Sequence, residues 1–184
     1  MPKTIETFFE EIVNFSKSKS LHNIDLSDEE ITKIAKPTLM SAKAIVAGYE
    51  GNLDEISTEF GLTALQFSLL FGNASAIAVA LILKGSNPDQ NGSLGVTTES
   101  IIIKERRCPE MMELIEEAKR FDRKDPDAER REAILLSLGS LGEKVIAEEG
   151  KKEANRMRDT LGMVPRMATA TRMIPMEIDA EAKR

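Results

Sequence analysis

The chain of 184 residues is 41% hydrophobic and 30% charged with a formal net charge of −6, which is typical of one folded domain with room for a tail. No segment has the basic excess that phosphate binding requires, and no apolar run is long enough to span a bilayer, so neither nucleic acid nor a membrane is an expected partner. Cys108 and His22 are the only residues of their types, which excludes an internal disulfide and a four-ligand structural zinc site; we expect a reducing compartment, the cytoplasm, with no metal and no cofactor.

The first third of the chain is predicted to form three helices. Apolar residues recur at helical spacing over residues 4–16, at Ile5, Phe8, Phe9, Ile12 and Phe15. After a predicted loop over 20–26, Ser27 and Glu30 make a capping-box pattern, and the helix that starts there is predicted to end before Pro37. A further helix is predicted over 38–49, followed by a short helical stretch or turn over 53–60.

Two helix pairs are predicted in the middle of the chain. They cover residues 63–71 with 74–84, and 97–106 with 109–121. Thr63 and Gln66 make a second capping-box pattern, Gly85 stands where a left-handed C-cap is favoured, and Pro109 suits the first position of a helix. The Asn-, Pro- and Gly-rich segment 87–95 is predicted to be a turn or finger loop.

The C-terminal part is predicted to be one helix and a tail. Asp125 and Pro126 suit the N-cap and first position of a helix that reaches about Glu149. One side of this helix carries an apolar stripe, which is formed by Ile134, Leu138, Leu141 and Val145. The stripe could dock a partner helix, but we predict that it packs on the last helix pair and closes the core. Residues 161–184 are predicted to be a disordered tail.

The helix pairs repeat at a fixed offset. Gly61-Leu62-Thr63 recurs as Gly95-Val96-Thr97, 34 residues later, and the same offset carries Leu81 onto Ile115. Each unit is therefore a capped helix, a turn, a second helix and a loop. Such a unit cannot bury its apolar face alone, so stacked units and polar capping elements are expected.

The repeated segment resembles the ankyrin repeat. Gly61-Leu62-Thr63-Ala64-Leu65-Gln66 is similar to the family's Gly-x-Thr-Pro-Leu-His opening, Gly72-Asn73 to its mid-repeat turn, and the segment 81–89 to its Leu-Leu-x-x-Gly-Ala-Asp-x-Asn ending. The match is good over 61–89, fair over 95–119, where Glu99 replaces a family leucine, and fragmentary over 38–60.

The resemblance implies an all-α fold, a short ankyrin-like stack of antiparallel helix pairs with flanking capping helices. Four parts are then expected: N-terminal capping helices over 1–36, repeats over 37–121, a C-terminal capping helix region over 125–160, and the tail from 161 to 184.

The resemblance also implies a non-catalytic protein–protein interaction module or adaptor. In the family, finger loops and the exposed side of the first helices contact the partner, and the matching positions here are Leu62, Leu70, Phe71, Asn87, Asp89 and Asn91. Leu70 and Phe71 either form an exposed apolar contact patch or are covered by an irregular neighbouring unit. Because some bacterial ankyrin-type proteins are delivered into host cells, an effector role stays open, as does secretion directed by the tail.

Two alternatives to the interaction module are weighed. A self-associating structural subunit would use the apolar helix after Pro126, although a monomer is favoured. An enzyme with an unrecognised site would need a nucleophile, but His22 lies in a polar loop without one. Cys108 follows Arg106 and Arg107, which could make its thiol reactive; a small filler at a helix junction is preferred. No catalytic residue is assigned, and the protein is not expected to be an enzyme.

Overall fold

The computed structural model describes the backbone of residues 2–23 and 25–169, and the side chains of 2–19 and 25–161. Over these residues the fold is all-α, as predicted, with seven α-helices and no strand. The helices are α1 (Ile5–Asn23), α2 (Asp28–Ala47), α3 (Ala64–Ser68), α4 (Ser75–Lys84), α5 (Thr98–Lys104), α6 (Pro109–Arg120) and α7 (Ala128–Thr169). Short 3₁₀ turns lie at Gly72–Ala74 and Ser93–Gly95.

α4 is the central helix of the core. Every residue from Ser75 to Ile82 is buried. Its neighbours are α2, α3 and α7. The sequence of α4 is apolar around its whole circumference, and a helix of that kind is stable only when other elements cover every face.

α7 covers the row formed by α2, α4 and α6. It runs antiparallel to α2 and α4. Its residues Ile146 and Gly150 lie beside Ile31 and Ser75, near the starts of those helices. Gly139, about two to three turns earlier, lies at the other end of the same two helices. The predicted stripe on α7 does close the core, since Leu138 and Val145 are buried and Ile134 and Leu141 pack against the core.

The predicted core of the first helix is confirmed. Ile5, Phe8, Phe9, Ile12 and Phe15 are all buried. The Phe8 ring stacks on the ring of Tyr49 at a centroid distance of 4.8 Å. This contact fixes α1 on the segment that follows α2.

The predicted helix boundaries in the repeated segment are largely confirmed, because local capping chemistry sets them. Thr63 and Gln66 form a capping box, in which the Gln66 N–H donates to Thr63 Oγ1 at 3.2 Å and the Thr63 N–H donates to Gln66 Oε1 at 3.1 Å. The Ser27–Glu30 box is also present. Gly85 ends α4 with a φ of 125°, which a residue with a Cβ rarely adopts. Pro109 is the first residue of α6.

The predicted helix end before Pro37 is wrong. α2 continues through Pro37 to Ala47, and it crosses the expected boundary between residues 36 and 37. A proline inside a helix costs about 3 kcal/mol, because it lacks the N–H and its ring crowds the preceding turn. Burial of one face of α2 against α4 and α7 outweighs that cost; the face consists of Ile31, Ala35, Thr38, Leu39, Ala42 and Val46.

The predicted bounds of the last helix are also wrong. Asp125 and Pro126 precede the helix in a turn, and it is Asp127 that caps it, by accepting the Arg130 N–H at 3.1 Å. α7 then passes the predicted end at Glu149 and continues to Thr169, and Glu153 and Ala154 extend its buried face beyond that point. The first part of the predicted tail is therefore helical in its backbone; residues 170–184 lie outside the described residues.

Candidate functional site

The residues predicted to contact a partner lie in two separate places. Asn87 is exposed, and its N–H donates to Asp54 Oδ1 at 2.8 Å. The Asp89 carboxylate lies 3.1 Å from Nζ of Lys119, in the last turn of α6. Phe71 instead lines a groove with Arg107, which precedes the first turn of α6. α6 has 12 residues, so these places are about 18 Å apart at 1.5 Å per residue.

The finger loop is tied to the first repeat helix. The side-chain amide of Gln66 donates to the carbonyl oxygens of Gln90 at 3.2 Å and Val96 at 3.0 Å. The Ser93 N–H donates to the Gly61 carbonyl at 2.8 Å. Leu62 is half-buried beside this loop, whereas Asn91 is exposed at its tip. Hydrogen bonds to Gln66 and to Gly61 therefore anchor the loop next to α3.

Leu70 and Phe71 are neither fully exposed nor covered by a neighbouring unit. Both are half-buried and pack against the core, and the Phe71 ring makes an edge contact with Phe67 at 5.3 Å. They line an open cavity of about 640 Å³, here called the Phe71 groove; its other walls are Ser16, Gly72, Asn73, Glu105, Arg106, Arg107, Lys152, Glu153 and Arg156. The groove thus lies between α1, the α5–α6 junction and α7.

The rim of the Phe71 groove carries free positive charge. The Arg156 guanidinium pairs with Glu153 at 2.9 Å, and Arg107 donates to the Glu105 carbonyl at 2.8 Å. Arg106 and Lys152 are exposed, and neither forms an ion pair with any described residue. The Glu105 carboxylate also lines the groove without such a pair, so the unpaired groups leave an excess of one positive charge. An apolar floor beside unpaired cations suits a segment that carries an apolar side chain and a carboxylate.

A buried ion pair connects Arg107, in the wall of the groove, to Glu149 of α7. The Glu149 carboxylate accepts the Cys108 N–H at 3.1 Å and lies 3.8 Å from Nε of Arg107, and both side chains are more than nine-tenths buried. Burial raises the pKa of the Glu149 carboxyl, against the lowering effect of Arg107. Oε1 of Glu149 and Nη1 of Arg107 have no hydrogen-bond partner among the described residues.

Sequence reasoning missed the Glu149 pair, although the sequence holds a signal for it. Glu149 and Glu153 follow Val145 at intervals of four residues, so they continue the apolar stripe of α7 on the same face. Both carboxylates are buried. Glu153 lies so close to Gly72 that a Cβ there would come within 3.0 Å of its carboxylate.

Cys108 is a filler at the helix junction, as the preferred interpretation predicted. Its side chain is buried, and burial together with the charge of Glu149 raises the pKa of the thiol to about 12. The neighbouring arginines do not offset these effects, so the thiolate needed for nucleophilic attack is scarce at neutral pH. The predicted loop over 20–26 begins too early: α1 continues to Asn23 and includes the backbone of His22, whose side chain lies outside the described side chains.

A second groove of about 830 Å³ runs between α2, α4 and α7. Its floor includes Leu39, Leu83 and Leu135, and Gly139 faces open space there. The rim has charges of both signs, including Lys43 and Glu143. Sequence reasoning missed this groove because it placed α7 on the last helix pair alone rather than along α2 and α4.

Comparison with models of protein families, with curated proteins and with solved structures gives no match to this chain. Among residues 2–23 and 25–169, no helix is both long enough and apolar enough to cross a bilayer. The same residues contain no group of three or more His, Cys, Asp or Glu side chains arranged to hold a metal ion.

Proposed function

We propose that this chain is a non-catalytic protein-binding module that takes a segment of another protein into the Phe71 groove. One observation carries the proposal: exposed, unpaired Arg106 and Lys152 stand beside the half-buried Leu70 and Phe71. The partner segment then has an apolar side chain that covers Phe71 and a carboxylate that pairs with the cations. Aromatic and arginine anchors of this kind carry most of the affinity in protein interfaces.

We further propose that the module is of ankyrin type. The support is the pair of Thr-capped units: Thr63 opens α3 and Thr97 opens α5, 34 residues apart, and each first helix is followed by a second that packs toward α7. Under this proposal the module works as a monomeric adaptor in a reducing compartment such as the cytoplasm. An effector role inside a host cell is one form of the same activity.

The test compares how well the wild type and charge-reversal variants capture the partner protein. The double variant Arg106→Glu/Lys152→Glu is expected to weaken capture about tenfold or more, since two favourable charge contacts become repulsive. Phe71→Ala is expected to weaken capture about thirtyfold, the equivalent of an anchor worth about 2 kcal/mol. A photo-reactive residue at position 106 should cross-link to the same partner.

The matched control is a charge reversal away from the groove. Lys104→Glu/Lys124→Glu changes the net charge by the same amount at two exposed positions that do not line the groove. If this control weakens capture as much as the groove variant does, the charge of the whole protein is responsible, and the Phe71 groove is not the binding site.

A second candidate function is self-association through α7. Leu136 of α7 is 69% exposed and lines the groove between α2, α4 and α7, and Met40 of α2 is 64% exposed. Two copies could cover these side chains. Light scattering of the wild type and of Leu136→Glu decides this candidate: a dimer that the substitution dissociates supports it, and a monomeric wild type contradicts it.

A further inference from the structure

An acidic notch lies along α1, near the Phe71 groove. It has a volume of about 230 Å³ and is walled by the rings of Phe9, Phe60 and Phe67. The Phe9 and Phe67 rings stack at 4.2 Å, and Phe60 packs on both, at 5.7 Å and 5.1 Å. Phe60 is 48% exposed, so one face of this aromatic cluster is open to a ligand.

Three carboxylates surround these rings, and no cation does. Glu6, Glu10 and Glu59 line the notch, and no lysine or arginine is among its lining residues. The Glu6 carboxylate accepts the Ser57 hydroxyl at 2.8 Å, which fixes its position. Glu10 and Glu59 are exposed, and neither pairs with a cation in the part of the chain that the structure describes. The notch therefore has uncompensated negative charge at the edge of an aromatic surface.

The notch and the Phe71 groove are neighbours. The Phe67 ring walls the notch and contacts the ring of Phe71 at 5.3 Å. On α1, Asn14 lines the notch, and Ser16 lines the groove. A bound segment that runs along α1 would therefore meet the negatively charged notch and then the exposed cations of the groove.

We propose that the notch binds an arginine side chain of the segment that occupies the Phe71 groove. This inference rests on the proposed function, because it supplies the second anchor of the same interface. Arginine fits both features of the notch: its planar guanidinium stacks on an exposed aromatic face such as that of Phe60, and its N–H groups pair with carboxylates in a forked geometry. The partner segment is thus basic at one end and acidic at the other.

The experiment uses the full chain and a defined probe. The probe is the peptide acetyl-Gly-Gly-Arg-Gly-Gly-amide, and its control contains citrulline, which keeps the shape of arginine without the charge. Binding is followed by chemical-shift changes of the backbone amides during a titration. We expect saturable shifts around Phe60 with a Kd of about 1 mM, the range of a single anchored side chain, and no saturable shift with the citrulline peptide.

Two double variants that remove the same charge test whether the peptide binds in the notch. Glu10→Gln/Glu59→Gln is expected to weaken binding about fivefold, because each surface ion pair contributes modestly. Glu113→Gln/Glu116→Gln removes the same charge from exposed positions on α6 and is expected to leave the Kd within about twofold. Phe60→Leu, which keeps an apolar wall but removes the ring, is expected to weaken binding about threefold.

Three results would contradict arginine binding in the notch. They are equal affinity for the citrulline peptide, equal loss of affinity in both double variants, or no saturable chemical-shift change at a peptide concentration about ten times the expected Kd. These outcomes are separate from the fate of the proposed function. If the Arg106 and Lys152 variant loses partner capture while the Glu10 and Glu59 variant retains it, the groove stands without the notch. If the peptide binds the notch but the groove variants capture the partner as well as the wild type does, the notch is an arginine site and the Phe71 groove is not the partner-binding site.

Discussion

Gly142 of α7 lies directly against the side chain of Val79 in α4: a Cβ on residue 142 would come within 3.0 Å of Val79 Cγ1. Val79 is completely buried, and its β-branched side chain has little rotamer freedom in a helix. The absence of a side chain at residue 142 thus sets how closely α7 approaches the central helix.

Gly142→Ala is therefore expected to destabilise the protein by about 1–3 kcal/mol, because the added methyl group overpacks a rigid contact. The matched control is Gly139→Ala on the same helix, where a Cβ would meet no atom within 4 Å. That control is expected to be neutral or to stabilise by up to about 1 kcal/mol, the helix-propensity difference between glycine and alanine. Urea denaturation of both variants measures the difference, and equal midpoints would contradict the close packing of α7 on α4.

Leu81→Ala is expected to destabilise by about 2–5 kcal/mol, because Leu81 is completely buried in α4 and its truncation leaves a cavity. Ile103→Ala is the control, since Ile103 is 69% exposed; it should change the free energy of unfolding by less than about 0.5 kcal/mol. Thermal and urea denaturation report both values. A Leu81→Ala variant as stable as the wild type would exclude the position from the core.

Glu149→Gln is expected to gain stability relative to the wild type as the pH rises. Burial raises the pKa of the Glu149 carboxyl above its ordinary value of 4.5, so the folded state holds this proton more tightly than the unfolded state does. The wild type consequently loses stability as the pH rises from 4.5 through the folded-state pKa, and glutamine, which does not titrate, escapes this loss.

Urea midpoints at about pH 4.5 and about pH 8 test this expectation. Glu148→Gln, the substitution of the neighbouring residue that is half-buried and paired with Lys151, is the control and should not reproduce the trend. Glu149→Leu should instead destabilise by about 3 kcal/mol, because it leaves the Arg107 guanidinium without its buried partner. A Gln variant whose advantage shrinks with rising pH would show that the ionised carboxylate is favoured.

Tyr49→Phe is expected to reduce the loss of stability at alkaline pH. Burial and the hydrogen bond to Glu55 raise the pKa of Tyr49 from 10.0 to about 12. Below pH 10 the phenol is protonated in both states; between pH 10 and 12 only the folded state keeps the proton, so stability falls as the pH rises. Cys108 adds a decline from pH 9.0, which the variant retains. Urea midpoints at about pH 8 and about pH 11 should therefore fall less for Tyr49→Phe than for the wild type.

The sequence predicted the parts of the fold that local chemistry determines. The Thr63 and Ser27 capping boxes, the glycine at residue 85 and the proline at residue 109 each place a helix end within a few neighbouring residues, and these ends lie where they were predicted. The apolar spacing of α1 likewise identified its buried face.

The failures at Pro37 and at the Phe71 groove share one cause, which is packing between distant segments. Pro37 favours a break locally, but the contacts of α2 with α4 and α7 keep the helix continuous. The Phe71 groove could be predicted only in part: the sequence singled out Leu70 and Phe71, whereas Arg106, Lys152 and Glu149 come to them from the α5–α6 junction and from α7. No local sequence pattern predicts that these segments come into contact.

The position of α7 also determines how the proposed repeat units could change in number. In an open solenoid, a unit can be inserted or deleted because each unit touches only its neighbours. Here one helix, α7, contacts α1, α2, α4 and α6. An inserted helix pair would therefore move some of these helices out of contact with α7. A lineage that carries this arrangement is expected to conserve its number of helices and to vary its loops instead. Removal of α7 would expose the side of α4 that α7 covers, so the helices should unfold together rather than pair by pair.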